Sequence, residues 1–274
     1  DAPRKVSPNE KLNIAAVGVG GMGGGNLRRV SDENVVALCD VDHEYAGKVF
    51  EAFPEAKRYA DYREMLDKSP EIDAVIIATP DHTHAVIAMA CMKAGKHVYC
   101  QKPLTHEVYE SRMLAEAARD TGVVTQMGIQ GHSGDDARRV REWLQAGVIG
   151  EVREVDAWCS LTYYPWGHAS WSSPLGTRPT ETPPIPDTLN WDLWLGPAPQ
   201  RSYHPCYHPR SWRSWWDFGC GMMGDRGAHT FDPIFWALDL GHPTTIEGNA
   251  TDLNDETHPI ACLVRYEFPA RGDK

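Results

Sequence analysis

The sequence has no apolar run close to the roughly 20 residues that a membrane-spanning helix needs. Positive charge is also scarce, because Lys and Arg total 27 against 38 Asp and Glu, and no run of Lys or Arg exceeds two residues. These absences argue against a membrane or a nucleic acid as the partner. They favour a small molecule that is neutral or modestly charged.

A disulfide framework is not indicated either. The seven cysteines are an odd number, and several of them lie inside apolar strand or helix patterns, as small core residues do. The chain starts at Asp1 without an initiator Met. The removal of a leader peptide and a shortened chain are two explanations that the residues leave open.

The first half of the chain alternates strand and helix patterns. Helical patterns separate five apolar runs, which are LNIAAVGVG, NVVALCD, IDAVIIATP, KHVYC and GVVTQMG. Near-continuous apolar strands between helices predict a parallel sheet that is covered on both faces. We therefore expect an α/β domain with a doubly wound parallel sheet over residues 1–130.

The second half, residues 131–274, has the character of an α+β domain. Residues 151–160, EVREVDAWCS, predict a half-exposed strand, and IACLVRYEF predicts another. Residues 163–217, which lie between them, hold seven of the ten tryptophans: Trp166, Trp171, Trp191, Trp194, Trp212, Trp215 and Trp216. Their rings suit either stacking on sugars or packing within the protein, and the sequence leaves both open.

The stretch AVGVGGMG has the G-x-G-x-x-G spacing of a dinucleotide-binding turn, between a strand pattern and a helix pattern. Gly18 permits the tight turn, Gly20 lets a pyrophosphate approach the backbone, and Gly23 lets the helix pack on the strand. The phosphates would lie at the helix N-terminus. Asp40 ends the next strand, where it can accept the ribose hydroxyls and repel a 2′-phosphate, so NAD is favoured over NADP.

Two further strand ends, in ATPDHTH and CQKP, carry polar residues. Ligands of open α/β sheets bind beyond the carboxyl ends of the strands, so Lys102 is predicted to point at the cofactor crevice. A lysine there can polarise a substrate hydroxyl or relay a proton. The alternative is a surface lysine that follows a strand.

In the second half, Asp225 and His229 are four residues apart and would share one face of a helix. A histidine with a carboxylate behind it is a general base, which the oxidation of an alcohol by hydride transfer requires. A surface ion pair is the alternative. The stretch HPCYHP suggests a metal site only weakly because a fourth ligand is missing, and we expect no metal.

Together these motifs resemble the Gfo/Idh/MocA oxidoreductase family, which includes glucose–fructose oxidoreductase and inositol dehydrogenases. The matching stretches are GVGGMG, ATPDHTH, AGKHVYCQKP and GCGMMGDRGAH, in that order over residues 11 to about 266. The resemblance implies a Rossmann domain followed by an α+β domain with an open-faced, mainly antiparallel sheet. We also expect a homo-oligomer, either a dimer or a tetramer.

The resemblance also implies the site residues. Lys102 is similar to the lysine of the family's E-K-P motif, and Asp225 and His229 are similar to its catalytic pair. The predicted cofactor-binding residues are Gly18, Gly20, Gly21, Met22, Gly23, Asp40, Thr79, Pro80, His82, His84, Gln101 and Lys102, of which Thr79, Pro80, His82 and His84 would line the nicotinamide side. The predicted substrate-binding residues are Lys102, Gln130, Arg213, Trp215, Asp225 and His229.

Three features depart from the family pattern. Gln101 replaces the family's glutamate, which removes a charge beside Lys102. The chain ends at FPARGDK, where relatives usually supply more strands, so we expect an incomplete second domain, and residues 160–217 form a long insertion. The start, PRKVSPNEKLN, is similar to the mature starts of exported bacterial members, so we expect the periplasm, with the cytoplasm as the alternative.

The leading functional hypothesis is an NAD-dependent dehydrogenase that acts on a secondary alcohol of a sugar, cyclitol or glycoside. One alternative is an NAD-dependent glycoside hydrolase that works by transient oxidation and elimination. A second alternative is a non-catalytic NAD-binding sensor.

Overall fold

The computed structural model describes residues 3 and 7 and residues 9–163 and 170–270. Trp166, one of the seven tryptophans noted above, and the final RGDK lie outside the described residues. The chain forms two compact units. The first comprises Asp1–Gly128, Pro179–Pro209 and Asp217–Gly219, and the second comprises Ile129–Arg178, Arg210–Trp216 and Cys220–Lys274.

The first unit is built on a six-stranded sheet in the order β3-β2-β1-β4-β5-β6, with every neighbouring pair parallel. This is the doubly wound Rossmann order, and it confirms the predicted fold class. The strands are β1 (Asn13–Val17), β2 (Asn34–Cys39), β3 (Lys57–Tyr59), β4 (Ala74–Ile77), β5 (His97–Gln101) and β6 (Thr125–Gly128). The helices between them are α1 (Gly24–Arg29), α2 (Gly47–Ala52), α3 (Tyr62–Lys68), α4 (Asp81–Lys93) and α5 (Val108–Thr121).

The strands are apolar on both sides because each face of the sheet has its own core. In β1, Ala15 and Val17 pack into the core on one face, while Ile14 and Ala16 pack into the core on the other. This burial on both faces explains the near-continuous apolar runs that identified the sheet in the sequence.

After β6 the chain enters the second unit with α6 (Asp135–Gln145), returns to the first with α7 (Trp191–Leu195), and goes back with α8 (Gly221–Ala237). The sequence prediction placed a single boundary at residue 130. In the structure the chain leaves the first unit at Gly128, and the tryptophan-rich stretch is shared between the units. No helix among the described residues is both long enough and apolar enough to cross a membrane.

The second unit ends in β7 (Thr245–Ala250) and β8 (Cys262–Glu267), which pair antiparallel. The predicted strand at IACLVRYEF is therefore confirmed, but the one at residues 151–160 is wrong, because those residues form no regular secondary structure. The physical reason is the pattern itself. Val152 and Val155 are an odd number of positions apart, so a strand would point them to opposite faces.

Candidate active site

The glycine turn lies where β1 meets α1, and Val19–Gly23 form a short π-helical turn. Gly18 has φ 79°, and a Cβ there would lie only 2.7 Å from the backbone nitrogen of Thr79, just past the end of β4. A Cβ on Gly23 would overlap the carbonyl oxygen of Gly18, so this glycine lets α1 start directly against the end of β1. The turn therefore has the tight geometry that a dinucleotide-binding turn needs.

The face of the turn at Gly20 is covered by a side chain that sequence reasoning missed. The ring of Tyr45 lies so close that a Cβ on Gly20 would overlap it, and the Tyr45 hydroxyl lies 3.3 Å from the Cβ position of Gly21. Met22 is 52% exposed at the tip of the turn. Gly20 is thus required for the packing of Tyr45, whatever it also does for a pyrophosphate.

Asp40, just past the end of β2, is buried against the same turn. One carboxylate oxygen accepts hydrogen bonds from the N–H groups of Val19 (2.8 Å) and Gly20 (3.0 Å), and the other accepts from Asp42 N–H (3.1 Å). Burial raises the pKa of Asp40, and these hydrogen bonds oppose the shift. A carboxylate has about four acceptor positions, so roughly one is left for a ribose hydroxyl.

These features fit an NAD molecule at this edge of the sheet. Gly18 and Gly23 form the turn, the backbone N–H groups at the start of α1 suit a pyrophosphate, and Asp40 suits the ribose. The arrangement differs from the sequence prediction in one respect. Asp40 first holds the glycine turn, and only its remaining acceptor capacity is available to the nucleotide.

The two predicted histidines of ATPDHTH both use their ring nitrogens on backbone carbonyls. His82 is buried between Phe218 O (3.2 Å) and Trp194 O (3.1 Å). His84 is fully buried between Pro103 O (2.7 Å) and Thr79 O (2.8 Å). They therefore hold the segments around the crevice and do not present a ring nitrogen to a ligand.

The other residues of these strand ends are placed as follows. Thr79 accepts a hydrogen bond from the hydroxyl of Thr83 at 2.8 Å, and Pro80 is the residue that precedes α4. Gln101 is buried, with its amide against Gly128 at the end of β6. Lys102 follows β5 and is half-buried.

The segment Pro179–Pro209 packs on the Rossmann sheet of the same unit, which the sequence did not reveal. Asn190 N–H donates to Val41 O at 2.8 Å, just beyond β2, and Asn190 also caps α7. His208 Nε2 lies 2.7 Å from a carboxylate oxygen of Asp42, and both side chains are buried. The backbone of Asp42 in turn contacts Asp40, so the segment supports the residue that holds the glycine turn.

In the second unit, the predicted general-base pair lies on α8. Asp225 is buried and accepts hydrogen bonds from the Tyr163 hydroxyl and from Arg213 Nε, the latter at 3.2 Å. His229 is half-buried one helical turn further along. Arg213 is thus engaged with Asp225 and stacks over the ring of Trp212, with its guanidinium carbon 4.1 Å from the ring centroid. Tyr163 was not predicted, because nothing in its local sequence marks it.

Two further predicted substrate residues also lie in the second unit. Gln130 is exposed on a short 3₁₀ turn that is held to α8 by His132, whose Nδ1 lies 3.0 Å from both carboxylate oxygens of Asp232. Trp215 is fully buried in the core of this unit, and its contact with substrate stays a prediction.

Of the tryptophans in residues 163–217 that the structure describes, most serve packing. Trp191, Trp194, Trp212 and Trp215 are each at most 6% exposed, and the first two stack with ring centroids 4.6 Å apart. Trp216, in the same stretch, is 39% exposed. Of the two interpretations left open by the sequence, packing therefore accounts for these four rings.

Comparison with known proteins places these observations in a family. The chain is 34% identical to an inositol 2-dehydrogenase from Rubrobacter xylanophilus over 147 residues. These residues make up 52% of the chain and 42% of that protein. A myo-inositol 2-dehydrogenase from Thermotoga maritima is 27% identical over 143 residues, which cover 51% of the chain and 42% of that protein. The chain thus spans less than half the length of these relatives.

A solved structure extends the likeness over nearly the whole chain. The WlbA dehydrogenase from Chromobacterium violaceum, solved with NADH and UDP-GlcNAcA, has a TM-score of 0.68 at 19% identity and covers 98% of this chain and 66% of its own. At that identity the match shows a shared fold.

The family models match both units in sequence. Residues 12–129 match the NAD-binding Rossmann fold of an oxidoreductase family, which identifies NAD as the cofactor, and residues 133–268 match that family's C-terminal α/β domain. The two matches together cover most of the chain. The chain belongs to the Gfo/Idh/MocA oxidoreductase family.

Proposed function

We propose that this protein is an NAD-dependent dehydrogenase that oxidises a secondary alcohol of a sugar, cyclitol or glycoside. The observation that carries the proposal is Asp225, a buried carboxylate fixed by Tyr163 and Arg213 on the helix that carries His229. The names of the inositol dehydrogenases that it resembles support a polyhydroxylated substrate.

In the proposed reaction, bound NAD supplies the hydride acceptor, and the protein must remove the hydroxyl proton. His229 takes that proton as the general base. Asp225 stabilises the imidazolium that results, and its bond to Arg213 keeps the carboxylate in place. Lys102 polarises the hydroxyl oxygen by its positive charge.

We also propose that NAD is preferred over NADP. Asp40 is a buried acid at the nucleotide end of the site, and no arginine lies between Val41 and Gly47 to pair with a 2′-phosphate. The ratio of turnover with NAD to turnover with NADP measures this preference. A ratio below one would contradict it.

The test of the reaction is a panel of sugars, cyclitols and glycosides incubated with NAD, read by NADH absorbance and product mass. With an active substrate, His229→Ala is expected to lower kcat by about 100-fold or more while NAD affinity stays the same. His242→Ala is the matched control, because His242 is exposed on the loop after α8. Unchanged turnover in His229→Ala, or release of an aglycone without NADH, would overturn the proposal.

A further inference from the structure

His84 is a fully buried histidine on α4 that the proposed reaction does not use. Its two ring nitrogens lie 2.7 Å from Pro103 O and 2.8 Å from Thr79 O, and both partners are backbone carbonyls that only accept hydrogen bonds. A neutral imidazole has a single N–H, so its other nitrogen would turn a lone pair towards a carbonyl oxygen. Only an imidazolium lets both nitrogens donate to these carbonyls, whereas in a neutral ring the second nitrogen would have to accept a hydrogen bond from another group, such as the Cys100 thiol that also interacts with the ring.

His82, on the same helix, shows the contrast. It too lies between two carbonyls, but at the longer distances of 3.1 and 3.2 Å, where a single N–H can serve one of them. Burial, helped by the neighbouring His106 and His84, lowers the pKa of His82 to about 4, although the contacts with the Trp194 and Phe218 carbonyls oppose the shift. The two histidines are thus held in opposite protonation states.

The groups around His84 favour its charged form. Burial alone would lower the pKa of His84, but Cys100 on β5, Asp81 on α4 and the Pro103 carbonyl together raise it to about 9. His82 on the same helix, with a pKa of about 4, carries no charge at neutral pH. The charge on His84 is therefore retained through neutral pH.

The two carbonyls that His84 holds belong to the two turns of the crevice that carry predicted site residues. Thr79 follows β4, and its backbone nitrogen lies against the glycine turn at Gly18. Pro103 follows β5 and is covalently joined to Lys102. A single imidazolium thereby ties the Lys102 turn to the backbone beside the dinucleotide-binding turn.

We propose that His84 is a positioning residue, held as an imidazolium, whose two N–H donors fix the turn of Lys102 against the turn of Thr79. The functional part rests on the role proposed for Lys102, whereas the protonation state of His84 does not. Charge-assisted hydrogen bonds are about twice as strong as neutral ones, which suits a clamp at a site that must keep its geometry.

The protonation state is tested by NMR on the full-length protein labelled with ¹⁵N-histidine, between about pH 6 and about pH 8. The resonances of His84 are those lost in His84→Gln, and contacts from its ring protons to Thr79 identify them if that variant does not fold. We expect two protonated ring nitrogens for His84 throughout, and a neutral ring for His82. A non-protonated ring nitrogen in His84 at neutral pH would overturn the proposal.

The positioning role is tested by a double-mutant cycle with Lys102→Met, using turnover of a substrate found in the panel above. His84→Gln should lower kcat about 10- to 100-fold when Lys102 is present, because displacements of about 1 Å can cost that much. In the Lys102→Met background the same change should cost less than about 3-fold. His82→Gln, whose partners lie outside the Lys102 turn, should cost the same factor in both backgrounds.

The outcomes separate the two proposals. Equal losses from His84→Gln in both backgrounds would show that His84 acts on the fold in general and not through Lys102. Normal turnover in Lys102→Met alone would refute the role of Lys102 in the reaction, and the positioning role with it. The NMR experiment would still decide whether His84 is an imidazolium.

Discussion

His82 is expected to make the first unit sensitive to mild acid. Its ring is buried between Trp194 O and Phe218 O, and burial lowers its pKa from 6.5 to about 4. Each pKa unit between the folded and unfolded states is worth about 1.4 kcal/mol, so a difference of roughly 2.5 units amounts to about 3 kcal/mol. The unfolded chain binds the proton first, so stability falls as the pH drops from about 6.5 and the loss is complete near pH 4.

The assay is urea unfolding of the wild type and of His82→Gln at a series of pH values. The variant lacks this titration, so the difference in unfolding free energy between the two proteins should shrink by about 3 kcal/mol between pH 6.5 and pH 4. Because the result is a difference between two proteins at each pH, the other titrating groups largely cancel.

His84→Gln provides a matched comparison with the opposite sign. The pKa of His84 is raised from 6.5 to about 9, so its contribution is fully present below about pH 6.5 and is lost as the pH rises through about 9. The wild-type advantage over His84→Gln should therefore shrink in alkali, while the advantage over His82→Gln shrinks in acid. Parallel pH profiles for the two variants would refute the assignment of opposite charge states.

Three other changes have specific expected outcomes. Gly18→Ala should lower the free energy of unfolding by more than about 2 kcal/mol and weaken NAD binding, because φ is 79° and the backbone beyond β4 blocks a Cβ. Gly47→Ala is the control, since the space around Gly47 is open, and it should be tolerated in the same thermal melts and NAD titrations. His208→Ala should cost about 1–3 kcal/mol in urea unfolding, because one buried carboxylate oxygen of Asp42 loses its partner while the other keeps the N–H groups of Glu44 and Tyr45; a cost below about 0.5 kcal/mol would contradict this. Gln101→Glu places a carboxylate beside Lys102 and should move the pH–rate profile to higher pH; an unchanged profile would argue against an electrostatic role for that lysine.

The Rossmann sheet was predictable because its inner strands are buried on both faces and leave a strong local signal. The runs that contain β1, β2, β4, β5 and β6 are nearly continuous apolar stretches. The strand of this sheet that sequence reasoning missed is β3, the edge strand Lys57–Tyr59, which is short, polar and largely exposed. Three residues with so little buried apolar surface carry little pattern, whereas the other edge strand, β6, continues the apolar run GVVTQMG.

The return of Pro179–Pro209 to the first unit could not be read from the sequence, because distant contacts hold it. His208 and Asp42 are 166 positions apart, and the backbone bridge between Asp42 and Leu189 depends on main-chain atoms that every residue has. Neither contact produces a periodic pattern or a motif. The same holds for Tyr163, which contacts an aspartate 62 positions further along.

The three residues that follow one another at the end of β5 have separate roles. Gln101 packs against Gly128 at the end of the neighbouring strand, and the carbonyl of Pro103 is held by the buried ring of His84. Lys102 lies between these two anchored neighbours, so its backbone is fixed from both sides, and its side chain is half-buried. A flexible four-carbon side chain gains precision when its backbone is fixed. The anchoring of its neighbours thus gives a reason, independent of any family likeness, for a lysine at this position to act on a substrate.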